Sequence, residues 1–214
     1  MSSDLDAINQ ARATTQQVYE RHAQQWHNER ANHLNETIWL NPLLDGLPRA
    51  ARVLYLGCGT GKPNARNVLD RGLQLVGVDY APAMIAIAQA SYPNAHWQVS
   101  DMRKLPELGQ FHSIFSWDGF FHLSVEDQRQ TLPRLAAMME EDGRLLLTIG
   151  TGEGEVTGQV CGERVYHASL EPQEYRQILT DLGFATVEIC LEDARCAGRS
   201  IVFAQGFRRH TSAC

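Results

Sequence analysis

A glycine-rich segment at residues 57–61, Gly-Cys-Gly-Thr-Gly, directly follows the short apolar run 53–56. Glycine lacks a Cβ and tolerates positive φ, so the backbone N–H groups of such a turn can approach a bound ligand closely. Lys62 occupies the sixth position, where the dinucleotide-binding fingerprint requires glycine. The segment therefore indicates a ligand-binding turn and disfavours a dinucleotide pyrophosphate. An ordinary tight strand-to-helix turn is the alternative interpretation.

Two aspartates follow the next two apolar runs, Asp79 after 73–78 and Asp101 after 96–99. The carboxyl ends of parallel strands meet at one edge of a sheet, so both side chains are expected near the glycine segment. Asp79 could accept hydrogen bonds from both ribose hydroxyls of a nucleoside, and Asp101 could accept one from an adenine amino group. The alternative is that either aspartate serves only a turn, which is a common role of this residue. The pair favours an adenosine ligand without choosing among such ligands.

The elements that must position these residues alternate along the chain. Apolar runs predict five strands, at 53–56, 73–78, 96–99, 113–117 and 144–149. Helix-like segments near 63–71, 82–91 and 124–140 lie between them, a pattern typical of βαβ units. After a fourth helix at 172–182, two further strands, at 185–191 and 200–205, are joined by a connection too short for a crossover helix. We therefore predict an α/β fold with a mostly parallel seven-stranded sheet, an antiparallel edge hairpin and helices on both faces.

Residues 1–47 are polar and mostly helical in character. Tyr19, Ala23 and Trp26 recur at helical spacing and form one stripe that could lie against the rest of the protein. We interpret 1–47 as a helical appendage that covers the ligand cleft and 48–214 as the ligand-binding α/β domain. The chain is expected to form one domain overall, because 214 residues are sufficient for one sizeable core.

Four segments together resemble the class I, Rossmann-like, S-adenosylmethionine-dependent methyltransferases in their order and spacing. They are 53–61, 77–84 (Gly-Val-Asp-Tyr-Ala-Pro-Ala-Met), 101–103 (Asp-Met-Arg) and 111–123. The resemblance covers most of the chain from Tyr19 onward. It implies a single-domain methyltransferase that takes S-adenosyl-L-methionine as cofactor and methylates an O, N or S atom of a small organic molecule.

The resemblance also implies roles for individual residues. The glycine segment would hold the methionine part of the cofactor, Asp79 the ribose, and Met84 or Tyr80 one face of the adenine. Asp101 and the backbone of Met102 would meet the adenine edge. The full set of expected cofactor-binding residues is Tyr19, Trp26, Gly57, Cys58, Gly59, Gly61, Asp79, Tyr80, Met84, Asp101, Met102 and Trp117.

Three positions depart from the family's pattern. Tyr55 stands where the family usually has an acidic residue, two positions before the first glycine. Lys62 follows the loop where an acid is common, and His112 replaces the aspartate that usually opens the fourth strand. The acid at the position of Tyr55 normally helps to hold the charged methionine end, so this chain must hold that end in another way.

An aromatic and acidic cluster at 117–122, Trp-Asp-Gly-Phe-Phe-His, follows the fourth predicted strand. There its aromatic rings could line an acceptor pocket and attract the sulfonium, while Asp118 or His122 could orient or deprotonate the acceptor. The alternative is that His122 only anchors the turn before the helix cap at Ser124.

A second candidate group is 166–169, Tyr-His-Ala-Ser, which follows the glycine-rich segment 150–162. We expect this group to form a flap over the crevice, since glycine-rich loops can act as hinges. His167 is the third candidate catalytic residue. A purely structural hydrogen-bonding role for it is the alternative.

The composition limits the classes of partner. A formal net charge of −6 disfavours a nucleic-acid surface, since that affinity comes mainly from clustered lysine and arginine. The five cysteines form no C-x-x-C pair and the eight histidines lack i, i+4 spacing, so we expect neither a disulfide framework nor a metal site. No apolar stretch reaches the roughly 18 residues of a membrane span, and the start lacks signal-peptide features. We therefore expect a cytoplasmic monomer or homodimer that binds a small-molecule methyl acceptor.

Two other functions remain as alternatives at this point. A member of the same fold could bind an adenosyl ligand or a protein partner without methylating anything, as the departures at Tyr55, Lys62 and His112 suggest. A nicotinamide-dependent oxidoreductase is the other alternative, and the missing sixth-position glycine counts against it.

Overall fold

A computed structural model describes residues 2–30 and 36–209. The helices in these residues are α1 (Ser2–Glu29), α2 (Thr37–Leu44), α3 (Asn64–Leu69), α4 (Pro82–Ser91), α5 (Val125–Ala137) and α6 (Pro172–Asp181). The strands are β1 (Arg52–Leu56), β2 (Gln74–Asp79), β3 (His96–Val99), β4 (Phe111–Ser116), β5 (Met139–Ile149), β6 (Gly154–Val160), β7 (Glu163–Ser169), β8 (Phe184–Asp193) and β9 (Arg199–Phe207). None of the described helices is long and apolar enough to cross a bilayer.

The main sheet has seven strands in the order β3-β2-β1-β4-β5-β9-β8. The first five are mutually parallel, and β9 runs antiparallel to both β5 and β8. This confirms the predicted mostly parallel sheet with an antiparallel edge hairpin. The dinucleotide-binding fold instead has the order 3-2-1-4-5-6. The insertion of β9 between β5 and β8 therefore counts against the oxidoreductase alternative.

The sheet separates two apolar cores, and β1 contributes to both because successive side chains of a strand point to opposite faces. Leu54 and Leu56 pack in one core with α5 and α6. Val53 and Tyr55 pack in the other with α2, α3 and α4. Helices thus cover both faces of the sheet, as predicted.

Strands β6 and β7 form a separate two-stranded antiparallel sheet. The glycine-rich segment 150–162, expected to act as a hinge loop, therefore contains strand β6, and the group 166–169 lies in β7. The two strands join through a turn in which Cys161 and Gly162 have φ of 49° and 81°. Positive φ at both residues of a two-residue turn is the type I′ arrangement, which matches the twist of the flanking strands. Strand β6 was difficult to predict because it contains Gly158, and glycine is depleted in strands. Glycine is needed there because a Cβ would lie 2.4 Å from the ring of His167.

The first 47 residues contain two helices with different surroundings. In α2, Leu40 and Leu43 are fully buried, and they pack in the core beside β1. Helix α1 instead lies along the β6–β7 hairpin and α4. We therefore correct the interpretation of 1–47 as one appendage, because α2 packs as a core helix. The expectation that the chain forms one domain overall stays a prediction.

The ends of several elements differ from the predicted ones. Helix α5 ends at Ala137 and not at residue 140, because Met139 already pairs with Phe111 in the sheet. Strand β4 ends at Ser116, so Trp117 begins the loop after the strand. This shift brings Trp117 and the residues after it to the carboxyl edge of the sheet.

Candidate active site

The first pocket lies at the carboxyl ends of β1, β2, β3 and β4, with α1 on its open side. The space between its lining residues is about 1040 Å³, a volume that includes open solvent at the mouth. All the expected cofactor-binding residues except Gly61 line it, namely Tyr19, Trp26, Gly57, Cys58, Gly59, Asp79, Tyr80, Met84, Asp101, Met102 and Trp117.

The glycine segment is tightly packed against the loop after β4. Gly57 has a φ of +59°, and a Cβ on it would lie 3.1 Å from the Cα of Gly119. The third glycine has another purpose. Gly61 faces away from the pocket, where a Cβ would lie 2.8 Å from the ring of Trp97. The loop thus uses Gly57 at the pocket and Gly61 for packing, which differs from the expectation that all three glycines contact a ligand.

Asp79 links the loop to the end of β2. Its Oδ2 accepts a hydrogen bond of 2.8 Å from the N–H of Gly59, and its Oδ1 accepts one of 2.9 Å from the N–H of Ala81. Burial raises the pKa of Asp79 to about 6, although these backbone bonds act in the opposite direction. Each carboxylate oxygen retains a second lone pair, so a ligand hydroxyl can bond to either oxygen.

Two buried polar atoms of the pocket wall have no hydrogen-bond partner among the described residues, the hydroxyl of Tyr80 and the indole N–H of Trp117. Leaving such a group unsatisfied costs about 1–3 kcal/mol, so both favour a polar ligand. Asp101 also lines the pocket and holds Arg103 through an ion pair of 2.6 Å. The wall therefore fits a ligand with polar groups along its length, as an adenosyl-amino acid has.

The side chain of Tyr55, which stands where the family usually has an acid, is buried and engaged by its neighbours. Its ring stacks on Phe115 with centroids 4.1 Å apart, and its hydroxyl accepts a hydrogen bond of 3.2 Å from Asn64 Nδ2. Burial raises the pKa of Tyr55 well above its usual value, so the side chain stays a neutral phenol. It supplies no negative charge to the first pocket.

Cys58 also lines the first pocket, and its thiol is buried. Burial, helped by the charge of Asp79, holds the pKa of Cys58 well above its usual value. A thiol that stays protonated is a poor nucleophile. The position fits a small residue in the wall of the pocket.

His122 has both ring nitrogens engaged. Nδ1 lies 2.7 Å from the carbonyl oxygen of Tyr166, and Nε2 lies 2.9 Å from the hydroxyl of Tyr19. A carbonyl only accepts, so Nδ1 carries the proton and Nε2 accepts from Tyr19. Burial lowers the pKa of His122 to about 4, which keeps the ring neutral. His122 therefore ties α1 to β7, and its two nitrogens are occupied before any acceptor arrives.

A second pocket adjoins the first. It lies among the β6–β7 hairpin, the loop after β5 and the turn between β8 and β9, with about 1550 Å³ of space including its wide mouth. Tyr19, Trp26 and Asp118 line both pockets. A molecule in the second pocket would therefore meet a ligand of the first pocket at these three side chains.

His167 lies in the second pocket and not in the first. No side-chain hydrogen bond engages it within residues 2–30 and 36–209, and its ring contacts Phe121 edge-on with centroids 4.5 Å apart. Burial lowers the pKa of His167, so the imidazole is neutral near pH 7 and can accept a proton. Of the two candidate histidines, His167 is the one with free nitrogens.

Asp118 belongs to a chain of ion pairs where the two pockets meet. Arg199 Nη2 lies 2.7 Å from Asp118 Oδ2, and Arg30 Nη2 lies 2.7 Å from Glu36 Oε1. The link between the two pairs is longer, at 3.4 Å from Arg30 Nη1 to Asp118 Oδ2. Asp118 also has a φ of +55°, a strained conformation for a non-glycine residue that is frequent at functional sites. Arginine side chains thus already engage Asp118, and its expected role in orienting or deprotonating an acceptor stays a prediction.

The two arginines of this chain of ion pairs were missed by sequence reasoning. Arg199 is 81 residues from Asp118, and Arg30 lies six residues before Glu36 in a polar segment. Neither belongs to a motif. Only the position of Tyr55, which left a charged ligand group without a partner, signalled that such residues were needed.

Part of the chain matches a known protein family. Residues 53–143 match the model of the methyltransferase domain. A trans-aconitate 2-methyltransferase of Variovorax paradoxus is 32% identical over 120 residues, which make up 52% of this chain and 43% of that enzyme. The chain thus spans less than half the length of that relative.

Two solved structures share the fold over nearly the whole chain. The complex of DhpI with S-adenosylhomocysteine (SAH) superposes with a TM-score of 0.69 at 18% identity, covering 93% of this chain and 98% of that one. CalS10, an amino pentose methyltransferase from Micromonospora echinaspora with bound S-adenosylmethionine, gives a TM-score of 0.65 at 18% identity, covering 87% and 96%.

Proposed function

We propose that this chain, a class I S-adenosylmethionine-dependent methyltransferase, transfers a methyl group from S-adenosyl-L-methionine to an O, N or S atom of a small organic molecule. The observation that carries this proposal is the contact between the two pockets at Tyr19, Trp26 and Asp118. Two adjoining sites allow two reactants to be held in line, and such positioning is the main source of rate in a reaction between bound molecules.

In the first pocket, Asp79 would accept hydrogen bonds from the ribose hydroxyls, and the backbone at Gly57 and Gly59 would approach the amino-acid part. Tyr80 and Met84 would lie against the adenine, with Asp101 and Met102 at its edge. When bound, the cofactor supplies an electrophilic methyl group on a sulfonium. The rings of Tyr19 and Trp26, which line both pockets, suit a cation at that place.

In the second pocket, His167 would accept the proton of an acceptor O–H, N–H or S–H group as the new bond to carbon forms. Its neutral ring and free nitrogens support this role. His122 would act as a positioning residue, because its hydrogen bonds hold Tyr19 where the two pockets meet. Asp118 would contribute charge and not proton transfer, since Arg199 donates to both of its carboxylate oxygens, although Oδ1 keeps a second lone pair for a ligand.

Helix α1 would cover the cleft, as proposed from the sequence. Tyr19 and Trp26 reach both pockets from this helix, and Gln16 donates a hydrogen bond of 2.7 Å to the carbonyl of Tyr80. A cover of this kind excludes water from the reacting groups. The protein would act as a monomer or homodimer on small molecules, without nucleic acid or membrane partners, and light scattering of the purified chain tests its oligomeric state.

Calorimetry with S-adenosylmethionine and SAH tests the first half of the proposal, and absence of binding by the folded protein would refute it. The second half is tested by supplying a cell extract with methyl-labelled cofactor, with and without the protein. A protein-dependent, labelled small molecule is the expected result. Binding without any labelled product would favour an adenosyl-binding protein that does not methylate.

A further inference from the structure

The first pocket lacks an acid at Tyr55, yet its proposed ligand ends in an amino acid that carries one positive and one negative charge. Resting on the proposed function, we infer that this end binds between Arg30 and Asp118, with the ammonium group on Asp118 and the carboxylate on Arg30. Both side chains line the first pocket and are mostly buried, with exposed fractions of 15% and 16%.

The weakest contact of the ion-pair chain is where the ligand would enter. The outer pairs, Glu36 with Arg30 and Asp118 with Arg199, each have a separation of 2.7 Å. The inner separation between Arg30 and Asp118 is 3.4 Å, which is beyond the usual range of a charge-assisted hydrogen bond. Among the described residues, Asp118 Oδ1 accepts a hydrogen bond from Arg199 Nε alone, at 2.8 Å, and keeps a second lone pair. In the part of the chain that the structure describes, Arg30 Nη1 is held only by the long contact to Asp118. A zwitterion offers each of these two groups the opposite charge.

The other carboxylates of the first pocket have different positions and partners. Asp79 accepts two backbone N–H bonds at the end of β2, and Asp101 and Asp127 both pair with Arg103. Asp101 follows β3, which is two strands away from β1 in the sheet. Asp118 follows β4, directly beside β1. It is therefore the carboxylate nearest in the fold to the position that Tyr55 leaves without charge.

The charge balance where the two pockets meet also supports binding of the amino-acid end between Arg30 and Asp118. Arg30, Arg199, Glu36 and Asp118 carry two positive and two negative charges. A zwitterion adds no net charge, so its burial there leaves no uncompensated ion. The unpartnered indole N–H of Trp117, the residue before Asp118, is a further donor in this wall for a ligand carboxylate.

Three ligands separate the two charges in a calorimetric test on the full chain. SAH carries both the ammonium and the carboxylate, its decarboxylated analogue carries only the ammonium, and 5′-methylthioadenosine carries neither. Wild-type binding of SAH and methylthioadenosine tests the proposed function, and binding of neither would refute that function itself. The differences among variants test the present inference.

Asp118→Asn is expected to weaken SAH and its decarboxylated analogue by about 10- to 100-fold, because a charge-assisted hydrogen bond is lost. Arg30→Gln is expected to weaken SAH by a similar factor and to leave the decarboxylated analogue nearly unaffected. Methylthioadenosine should bind both variants within about twofold of wild type, which also shows that the pocket is folded. Asp127→Asn, an acid-to-amide change in the same pocket, is the matched control and should show no preference between SAH and methylthioadenosine.

Equal weakening of SAH and methylthioadenosine by Asp118→Asn would overturn the inference, because the loss would then come from the shape of the pocket and not from the amino-acid end. Unchanged SAH affinity in that variant would overturn it as well. So would an SAH-selective loss of the same size in Asp127→Asn, since the effect would not be specific to the place where the two pockets meet.

Discussion

The two pockets of the protein are assembled from different kinds of structure. The first takes its main residues from the ends of neighbouring parallel strands, such as Gly57 after β1, Asp79 at the end of β2 and Asp101 after β3. The second is bounded by α1, the β6–β7 hairpin, the loop after β5 and the turn between β8 and β9, which are far apart in the chain. The sheet therefore fixes the first pocket by its topology, whereas side-chain contacts between distant elements fix the second.

This difference predicts that the two pockets contribute to different steps of the reaction. Residues at strand ends are held by the hydrogen-bonded sheet, so substitutions there should alter cofactor affinity. Most residues of the second pocket lie on α1, on the β6–β7 hairpin and on loops outside the main sheet, where substitutions are better tolerated. Substitutions in the second pocket should alter the rate of transfer and the choice of acceptor. Each of the following experiments can contradict that division.

The largest expected effect is on transfer, in His167→Asn. Asparagine cannot accept the proton, so single-turnover transfer to the acceptor recovered from the extract should slow by about 10²- to 10⁴-fold. SAH affinity, measured by calorimetry, should not change. The control is His22→Asn, which alters a histidine of α1 that pairs with Glu163 of β7. A wild-type rate in His167→Asn would mean that the acceptor needs no base from the second pocket.

The next effect is on binding, in Asp79→Asn. The amide cannot accept from two hydroxyls while also receiving the N–H bonds of Gly59 and Ala81, so the Kd for SAH should rise by about 100-fold. Calorimetry measures this change. Asp70→Asn, at an exposed ion pair with Arg66, should bind as wild type does. Normal SAH affinity in Asp79→Asn would refute the interpretation that residues at the strand ends hold the cofactor in the first pocket.

Cofactor affinity should also depend on pH through the same group. Since burial raises the pKa of Asp79 to about 6, the carboxylate becomes protonated as the pH falls through that value and loses acceptor capacity. The Kd for SAH should therefore rise by up to about tenfold for each pH unit below 6. Titrations between pH 5 and pH 7.5 measure the slope. A slope that persists in Asp79→Asn would assign the titration to another group.

The smallest expected effect compares two glycines with similar backbone angles. Gly72 has a φ of +70° and open space around it, whereas a Cβ on Gly57 would lie 3.1 Å from Gly119 Cα. Gly72→Ala should lower the free energy of unfolding by about 1–2 kcal/mol, through backbone strain alone. Gly57→Ala should cost about 1–3 kcal/mol more, because the packed loops must move apart. Urea unfolding measures both, and equal losses would show that the loops yield without cost.

The first pocket could largely be predicted from the sequence because its residues follow apolar runs directly. Asp79 needed only the position of one strand and the rule about carboxyl edges. The ion-pair chain could not be predicted from the sequence, since Asp118 and Arg199 are 81 residues apart and no local pattern links them. The β6–β7 hairpin was missed because glycine, which usually weakens a strand, is required at position 158 by the ring of His167. His122 was assigned to chemistry because its two partners, Tyr19 and Tyr166, lie 103 and 44 residues away.

The attachment of α1 has a consequence for the order of events during synthesis. Arg12 of this helix bonds to Tyr166, and His22 bonds to Glu163, so these partners are separated by 154 and 141 residues. At typical elongation rates, a ribosome needs roughly 7–30 s to make that many residues. Helix α1 therefore lacks its partners in the β6–β7 hairpin until most of the sheet has been made. The newborn protein gains its ligand-binding cleft in two stages, with the floor first and the helix over it last.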